Sequence, residues 1–132
     1  MLRRRSSNSV EVTSIDRERL LPELESIAAR IGANDPTVCE VRLYGSLLSG
    51  DFTPHSDLDL LIIVFDSELG FLQRSDAYRE HFLPIPLDTD IKVYTLREIS
   101  KMKDQGNPFI REIQVTSRVL YSRDPDFSAF SR

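Results

Sequence analysis

Two aspartates one residue apart, Asp57 and Asp59, open the most apolar stretch of the chain, Asp57–Phe65 (DLDLLIIVF). Side chains alternate along a strand, so both carboxylates would face one way, about 6.6 Å apart along the backbone. At that separation two ionised carboxylates repel by roughly 2–3 kcal/mol at an effective dielectric of 20. A divalent cation reverses the sign, because hard cations take carboxylate oxygens. The pair therefore reads as a magnesium or manganese site. Asp90 directly precedes the alternating run Ile91-Lys92-Val93-Tyr94, and a strand there would bring it beside Asp57 and Asp59. Asp88, two residues earlier, is the competing third ligand; Asp90 is preferred because the apolar strand follows it at once. Three carboxylates around two metal ions about 3.5–4 Å apart suit in-line phosphoryl or nucleotidyl transfer. Gly45-Ser46 precedes Asp57 by a ten-residue gap. A glycine lets backbone approach a ligand closely, and the amides there with the Ser46 hydroxyl could hold the outer phosphates of a nucleoside triphosphate.

These residues need strands to carry them. Val38–Tyr44 (VCEVRLY) reads as a strand ending at Gly45-Ser46, Asp57–Phe65 as a central strand covered on both faces, and Leu87–Tyr94 as a third. Arg118–Tyr121 gives a short last strand. Leu20, Leu24, Ile27, Ala28 and Ile31 follow helical spacing. Pro22 predicts that this helix begins in its own turn and runs to Ile31, with Gly32 as the stop. Leu69, Leu72, Tyr78 and Phe82 predict a helix over Ser67–Phe82. Thr95-Leu96-Arg97-Glu98 is a capping box for a helix to about Asp104, and Asn107-Pro108 caps another that presents Phe109, Ile110 and Ile113. The expected architecture is α+β, one domain with about four strands in a mixed sheet and four flanking helices. Residues 14–123 form the domain; residues 1–13 are expected as a disordered basic tail and 124–132 as a C-terminal tail.

Composition narrows the rest. The chain has 132 residues, 17 basic against 21 acidic, and a net charge of −4. Three of the basic residues are Arg3, Arg4 and Arg5, so the body is more acidic still. That balance argues against a broad nucleic-acid-binding face, which needs clustered Lys and Arg. No apolar run approaches the ~20 residues of a membrane span, and no apolar signal stretch follows the arginines. One cysteine excludes an intrachain disulfide, and with two histidines it cannot build a structural zinc site. A soluble, cytoplasmic protein is expected.

The segment LYGSLLSGDFTPHSDLDLLIIV followed by TDIKVYT resembles the polymerase-beta-type nucleotidyltransferases, in particular their minimal, stand-alone prokaryotic members. The similarity runs from about Leu20 to Tyr121. The resemblance implies that Gly45 and Ser46 hold triphosphate, and that Asp57 and Asp59 bind Mg2+ or Mn2+ with Asp90 as the third carboxylate. The implied activity transfers a nucleoside monophosphate, AMP, from a triphosphate such as ATP to a hydroxyl on a protein, RNA or small molecule, releasing pyrophosphate. It also implies two alternatives: an antitoxin-like subunit pairing with a separate HEPN-type helical protein, or a nucleotide-binding module without turnover. An oligomer is compatible with any of these. Many minimal members carry an arginine three residues after the serine; this chain has Ser49, leaving Arg42 and Lys92 as cations that could substitute.

Other eye-catching residues have plainer readings. His55 follows Pro54 in a loop and is expected to be solvated, and Cys39 to be a small buried hydrophobe. Tyr44 and Tyr94 could stack on a base, but packing on the sheet face is the simpler expectation. Phe127 and Phe130 either pack back on the domain or mark a docking surface.

Overall fold

The computed structural model describes residues 2–3, 14–15, 17–50, 53 and 55–130. The elements are β1 (Leu2–Arg3), β2 (Ser14–Ile15), α1 (Arg17–Asn34), β3 (Val38–Tyr44), α2 (Ser46–Ser49), β4 (Leu58–Val64), α3 (Phe71–Arg74), α4 (Asp76–Arg79), a 3-10 turn at Glu80–Phe82, β5 (Thr89–Thr95), α5 (Leu96–Asp104), α6 (Pro108–Thr116) and β6 (Arg118–Ser122). The main sheet has the order β5-β4-β3-β6. Here β4 and β5 run parallel while β3 is antiparallel to both β4 and β6. This is the mixed four-stranded α+β sheet expected. A separate short pairing joins Leu2 to Ile15 and Arg3 to Ser14; the remaining residues of the expected basic tail, Arg4 and Arg5 among them, lie outside the described residues.

The continuous apolar run of β4 is explained by burial on both faces. On one face Leu58, Leu60, Ile62 and Val64 join Val41, Leu43, Ile91 and Val93 beneath Leu20, Leu24, Ile27 and Ile31 of α1. On the other, Leu61 and Ile63 join Cys39, Tyr44, Ile99, Ile110, Ile113 and Phe130. Each such fully buried Leu or Ile contributes about 1.5–3 kcal/mol relative to exposure. The capping box forms: Glu98 N donates to Thr95 Oγ1 at 3.1 Å and Thr95 N to Glu98 Oε1 at 2.8 Å. Asn107 caps α6 by accepting from Phe109 N at 2.8 Å. Among the described residues no helix is long and apolar enough to cross a membrane.

Three expectations are corrected. Helix α1 starts five residues before Pro22 and contains it. Leu20 is fully buried, and burying it requires the preceding turn; that gain offsets the backbone donor lost at the proline. Nor does Gly32 stop the helix. It sits inside α1 because the ring of Tyr121 lies where a Cβ would be. Ser67–Phe82 is not one helix but two single turns and a 3-10 turn. Leu69 and Leu72 are exposed while Tyr78 and Phe82 are buried in the core, and polar anchors hold this crossover as well. Arg74, almost wholly buried, donates to both carboxylate oxygens of Glu98 (2.6 and 3.1 Å) and to Val93 O (3.2 Å). Tyr78 Oη donates to Asp35 at 2.8 Å. The segment after β6 packs back: Ala129 and Phe130 are buried, while Phe127 remains exposed.

Candidate active site

Strand register decides which carboxylates meet. Asp59 pairs with Tyr44 on antiparallel β3 and with Asp90 on parallel β5, so the two aspartates are lateral neighbours on the face that carries Leu61 and Ile63. Asp57 precedes β4 by one residue and lines, with Asp90 and Lys92, a cavity of about 320 Å³ also bordered by Phe71, Leu72, Ser75 and Arg79; Asp59 does not line it. Asp88 goes elsewhere. Its carbonyl accepts Leu58 N at 2.8 Å, and it lines a separate cavity of about 470 Å³ with His55, Ser56 and Leu87. That cavity is the larger, yet among the described residues only Asp88 supplies a carboxylate there, so size does not choose the site.

Gly45 sits at the end of β3 with φ +86°, a conformation that L side chains avoid. A Cβ at this position would overlap Asp59 Oδ2. Two constraints therefore demand glycine: the turn, and the carboxylate lying against its Cα. The chain turns at once into α2, with Gly45 O accepting Leu48 N and Ser49 N at 3.1 and 3.2 Å. Ser46 is half-buried at the start of this turn, beside Asp59's neighbour Tyr44. Ser49 is exposed and donates its hydroxyl to Ser46 O at 3.2 Å.

The electrostatics are those of excess negative charge. Burial pushes the Asp59 carboxyl up from its ordinary pKa; Asp90, Asp57 and Glu112 add to that rise and Lys92 opposes it. Glu112 on α6 is a neighbour the sequence reading missed. Its signal was its place one turn after Phe109, on the helix that covers this face. Lys92 Nζ is 2.9 Å from Asp90 Oδ2 and 5.8 Å from the centroid of the Tyr44 ring. Burial works against the Lys92 ammonium, but the Asp90 hydrogen bond and Tyr44 outweigh it and its pKa rises. Tyr44 Oη is buried with no hydrogen-bond partner of good geometry; burial raises its pKa, with Lys92 near enough to oppose the shift. The Tyr44 ring belongs to the core, edge-on to Phe109 at 5.4 Å, while half-buried Tyr94 packs against Phe71 at 4.9 Å.

Of the two cations expected to stand in for the absent arginine, Arg42 is committed to structure. It donates to Glu40, Ser117 and Ser128 at 2.8–2.9 Å and lies over the ring of Phe130. Lys92, by contrast, is bonded to Asp90 and lines the cavity with Asp57. Among the described residues no three acidic, His or Cys side chains stand together closely enough to hold a metal ion as they are. The donor set nonetheless fits a hard divalent cation in kind: carboxylate oxygens, with the Asp59 carboxyl raised in pKa first by burial and then by Asp90.

The sequence model of the family described as "Polymerase beta, Nucleotidyltransferase" matches residues 27–126. The chain belongs to this family. That span takes in Gly45, Ser46, Asp57, Asp59 and Asp90. Solved structures of other proteins share the fold at low sequence identity. A candidate nucleotidyltransferase from Sulfolobus solfataricus is 20% identical with a TM-score of 0.56, over 84% of this chain and 87% of that one. A chain of a toxin-antitoxin complex with AMP-PNP is 19% identical, TM-score 0.54, over 77% and 76%. One from the complex of a tri-AMPylated Shewanella oneidensis HEPN toxin with an MNT antitoxin is 18% identical, TM-score 0.53, over 83% and 79%. No curated protein matches the chain by sequence.

Proposed function

We propose that this chain is a metal-dependent nucleotidyltransferase moving AMP from ATP to a hydroxyl acceptor. The observation that carries the reading is the register of Asp59 with Asp90, with Gly45 abutting the Asp59 carboxylate. Gly45 and Ser46 hold the outer phosphates through backbone amides and the Ser46 hydroxyl. Asp57, Asp59 and Asp90 would hold Mg2+ or Mn2+. When bound, such an ion neutralises phosphate charge and lowers the pKa of an acceptor hydroxyl. Strand order runs from the β3 end that leads into Gly45-Ser46, through Asp59, to Asp90. In this reading the phosphates lie on the Gly45-Ser46 side of Asp59 and the acceptor on the Asp90 side. Asp90 takes the acceptor's proton as its oxygen bonds to the α-phosphorus, and the bond to the β-phosphate breaks to release pyrophosphate. The test is incubation with α-labelled nucleotides, Mg2+ and candidate acceptors, including a co-encoded partner protein. Label transferred from ATP and lost in Asp59→Asn supports the reading; no labelled product with any acceptor counts against it.

A second reading is an antitoxin-like subunit that binds a HEPN-type helical partner. It is favoured by the complexes in which structurally similar chains occur, and by Phe71 and Leu72, which leave apolar surface beside Asp57 and Asp90, Leu72 being 84% exposed. A partner neutralised equally by wild type and Asp59→Asn would favour masking over transfer.

A further inference from the structure

The cation at the carboxylate site belongs to the chain itself. Lys92 follows Asp90 by two residues on β5 and so shares its face of the sheet. Its ammonium holds Asp90 Oδ2 at 2.9 Å. It also stands over the Tyr44 ring on β3, with Asp59 on the strand between. The lysine therefore reaches from the edge strand across the row of carboxylates. With 34% of the Lys92 side chain and 46% of Asp90 exposed, the ion pair is weak enough to exchange. A lysine is a point charge on a flexible stem, able to swing away without breaking a network of fixed bonds.

We propose that Lys92 competes with divalent metal for Asp90: in the nucleotide-free protein its ammonium holds that carboxylate, and a cation shared by Asp59 and Asp90 must displace it. The proposal rests on the reading of Asp57, Asp59 and Asp90 as metal ligands. In the structure the Asp90 carboxylate is held by the Lys92 ammonium. Metal binding then becomes conditional on nucleotide. A triphosphate brings oxygens of its own to the ion, and this tips an exchange that the metal alone does not complete. Lys92 is a positioning residue in this scheme, acting through Asp90.

The test is Mn2+ binding to the full chain without nucleotide, followed by the loss of the free-ion electron paramagnetic resonance signal. Lys92→Met should bind Mn2+ up to about fivefold more tightly than wild type. Lys92→Arg, which keeps the ion pair, should stay near wild type. Adding Asp90→Asn to Lys92→Met should erase the gain. Equal Mn2+ affinity in wild type and Lys92→Met overturns the proposal, as does a gain that survives Asp90→Asn. A parallel titration with AMP-PNP separates this from the underlying reading. If wild type takes up Mn2+ with AMP-PNP, loses it in Asp59→Asn, and equals Lys92→Met without nucleotide, only the role of Lys92 falls. If no Mn2+ binds even with AMP-PNP, the ligand assignment falls and the proposal with it. Circular dichroism checks that each variant is folded, and Lys92→Gln replaces Lys92→Met in the same measurement should the latter not be.

Discussion

The same face of the sheet carries two carboxylate–cation pairs with identical spacing, Glu40-x-Arg42 on β3 and Asp90-x-Lys92 on β5, and they serve opposite ends. Glu40 is 1% exposed; its Oε1 accepts Ala129 N at 2.7 Å and its Oε2 accepts Arg42 Nε at 2.9 Å. The Arg42 fork continues to Ser117 and Ser128, and Ser117 Oγ donates to Ile113 O at 2.5 Å. That network is closed, and it ties β3, α6 and the C-terminal segment into one core. The Asp90–Lys92 pair is half-exposed and neighbours Asp59 and Asp57, and Glu112 adds its charge at Asp59. Its charges do not cancel. A planar guanidinium with several fixed donors builds structure, whereas a lysine among too many carboxylates leaves a site in need of positive charge.

The sharpest separation comes from neutralising one member at each end. Asp59→Asn should reduce nucleotidyl transfer by about 10³-fold or more, roughly 4 kcal/mol at 1.4 per decade. The melting temperature of the metal-free protein should stay level or rise, because a repelling charge has gone. Single-turnover transfer and thermal melts measure the two. A clear loss of stability would make Asp59 structural and dissolve the contrast. Arg42→Ala should do the reverse. It leaves the Glu40 carboxylate buried without its cation, which costs about 3 kcal/mol, readable in urea titration, while nucleotide affinity of the folded fraction stays near wild type.

The sequence made the strand ends legible because strand signals there are short-range: alternation, glycine, and the switch to a continuous apolar run at Leu60–Val64. The capping box and the Asn107 cap were equally local, and both formed. What stayed hidden depends on contacts distant in sequence. Gly32 reads as a helix stop until Tyr121 is seen filling the space of its missing side chain. Arg42 reads as a spare cation until Ser117, Ser128 and Phe130 arrive from the far end of the chain to engage it. The Ser67–Phe82 crossover reads as a helix because nothing local shows Arg74 turning inward to Glu98. For the site, Gly45, Asp59 and Asp90 were readable as types and spacing. That Lys92 holds Asp90 emerges only in the folded chain.

A smaller effect tests whether the open end extends to the turn after β3. Ser46→Ala removes one hydrogen bond to a charged phosphate, about 1.5–3 kcal/mol, so ATP affinity should fall about 10- to 100-fold. Adenosine affinity should not change. Calorimetry with both ligands checks it, and an equal loss for adenosine would mean the serine shapes the loop rather than meeting phosphate. Ser49→Arg should raise ATP affinity by supplying a planar phosphate partner that Lys would reproduce less well.

The smallest effect is a pH dependence that the two kinds of carboxylate should show in opposite senses. Burial and then Asp90 raise the Asp59 pKa above its ordinary 3.8. Ionised Asp59 therefore opposes folding, and that penalty is relieved as pH falls through its folded pKa towards 3.8. Glu98 is lowered from 4.5, chiefly by the Arg74 hydrogen bond; its contribution favours folding, is complete above 4.5, and is lost only as pH falls through the lowered value. In chelator, the melting advantage of Asp59→Asn over wild type should therefore be largest near neutrality and shrink before pH reaches 3.8. The deficit of Glu98→Gln should hold steady down to about 4.5 and shrink below it. The two difference curves thus fade in separate windows and with opposite sign. An Asp59→Asn curve flat from pH 7 to 3.8 would mean that Asp59 does not feel its neighbours, and the excess negative charge on which the site rests would be absent.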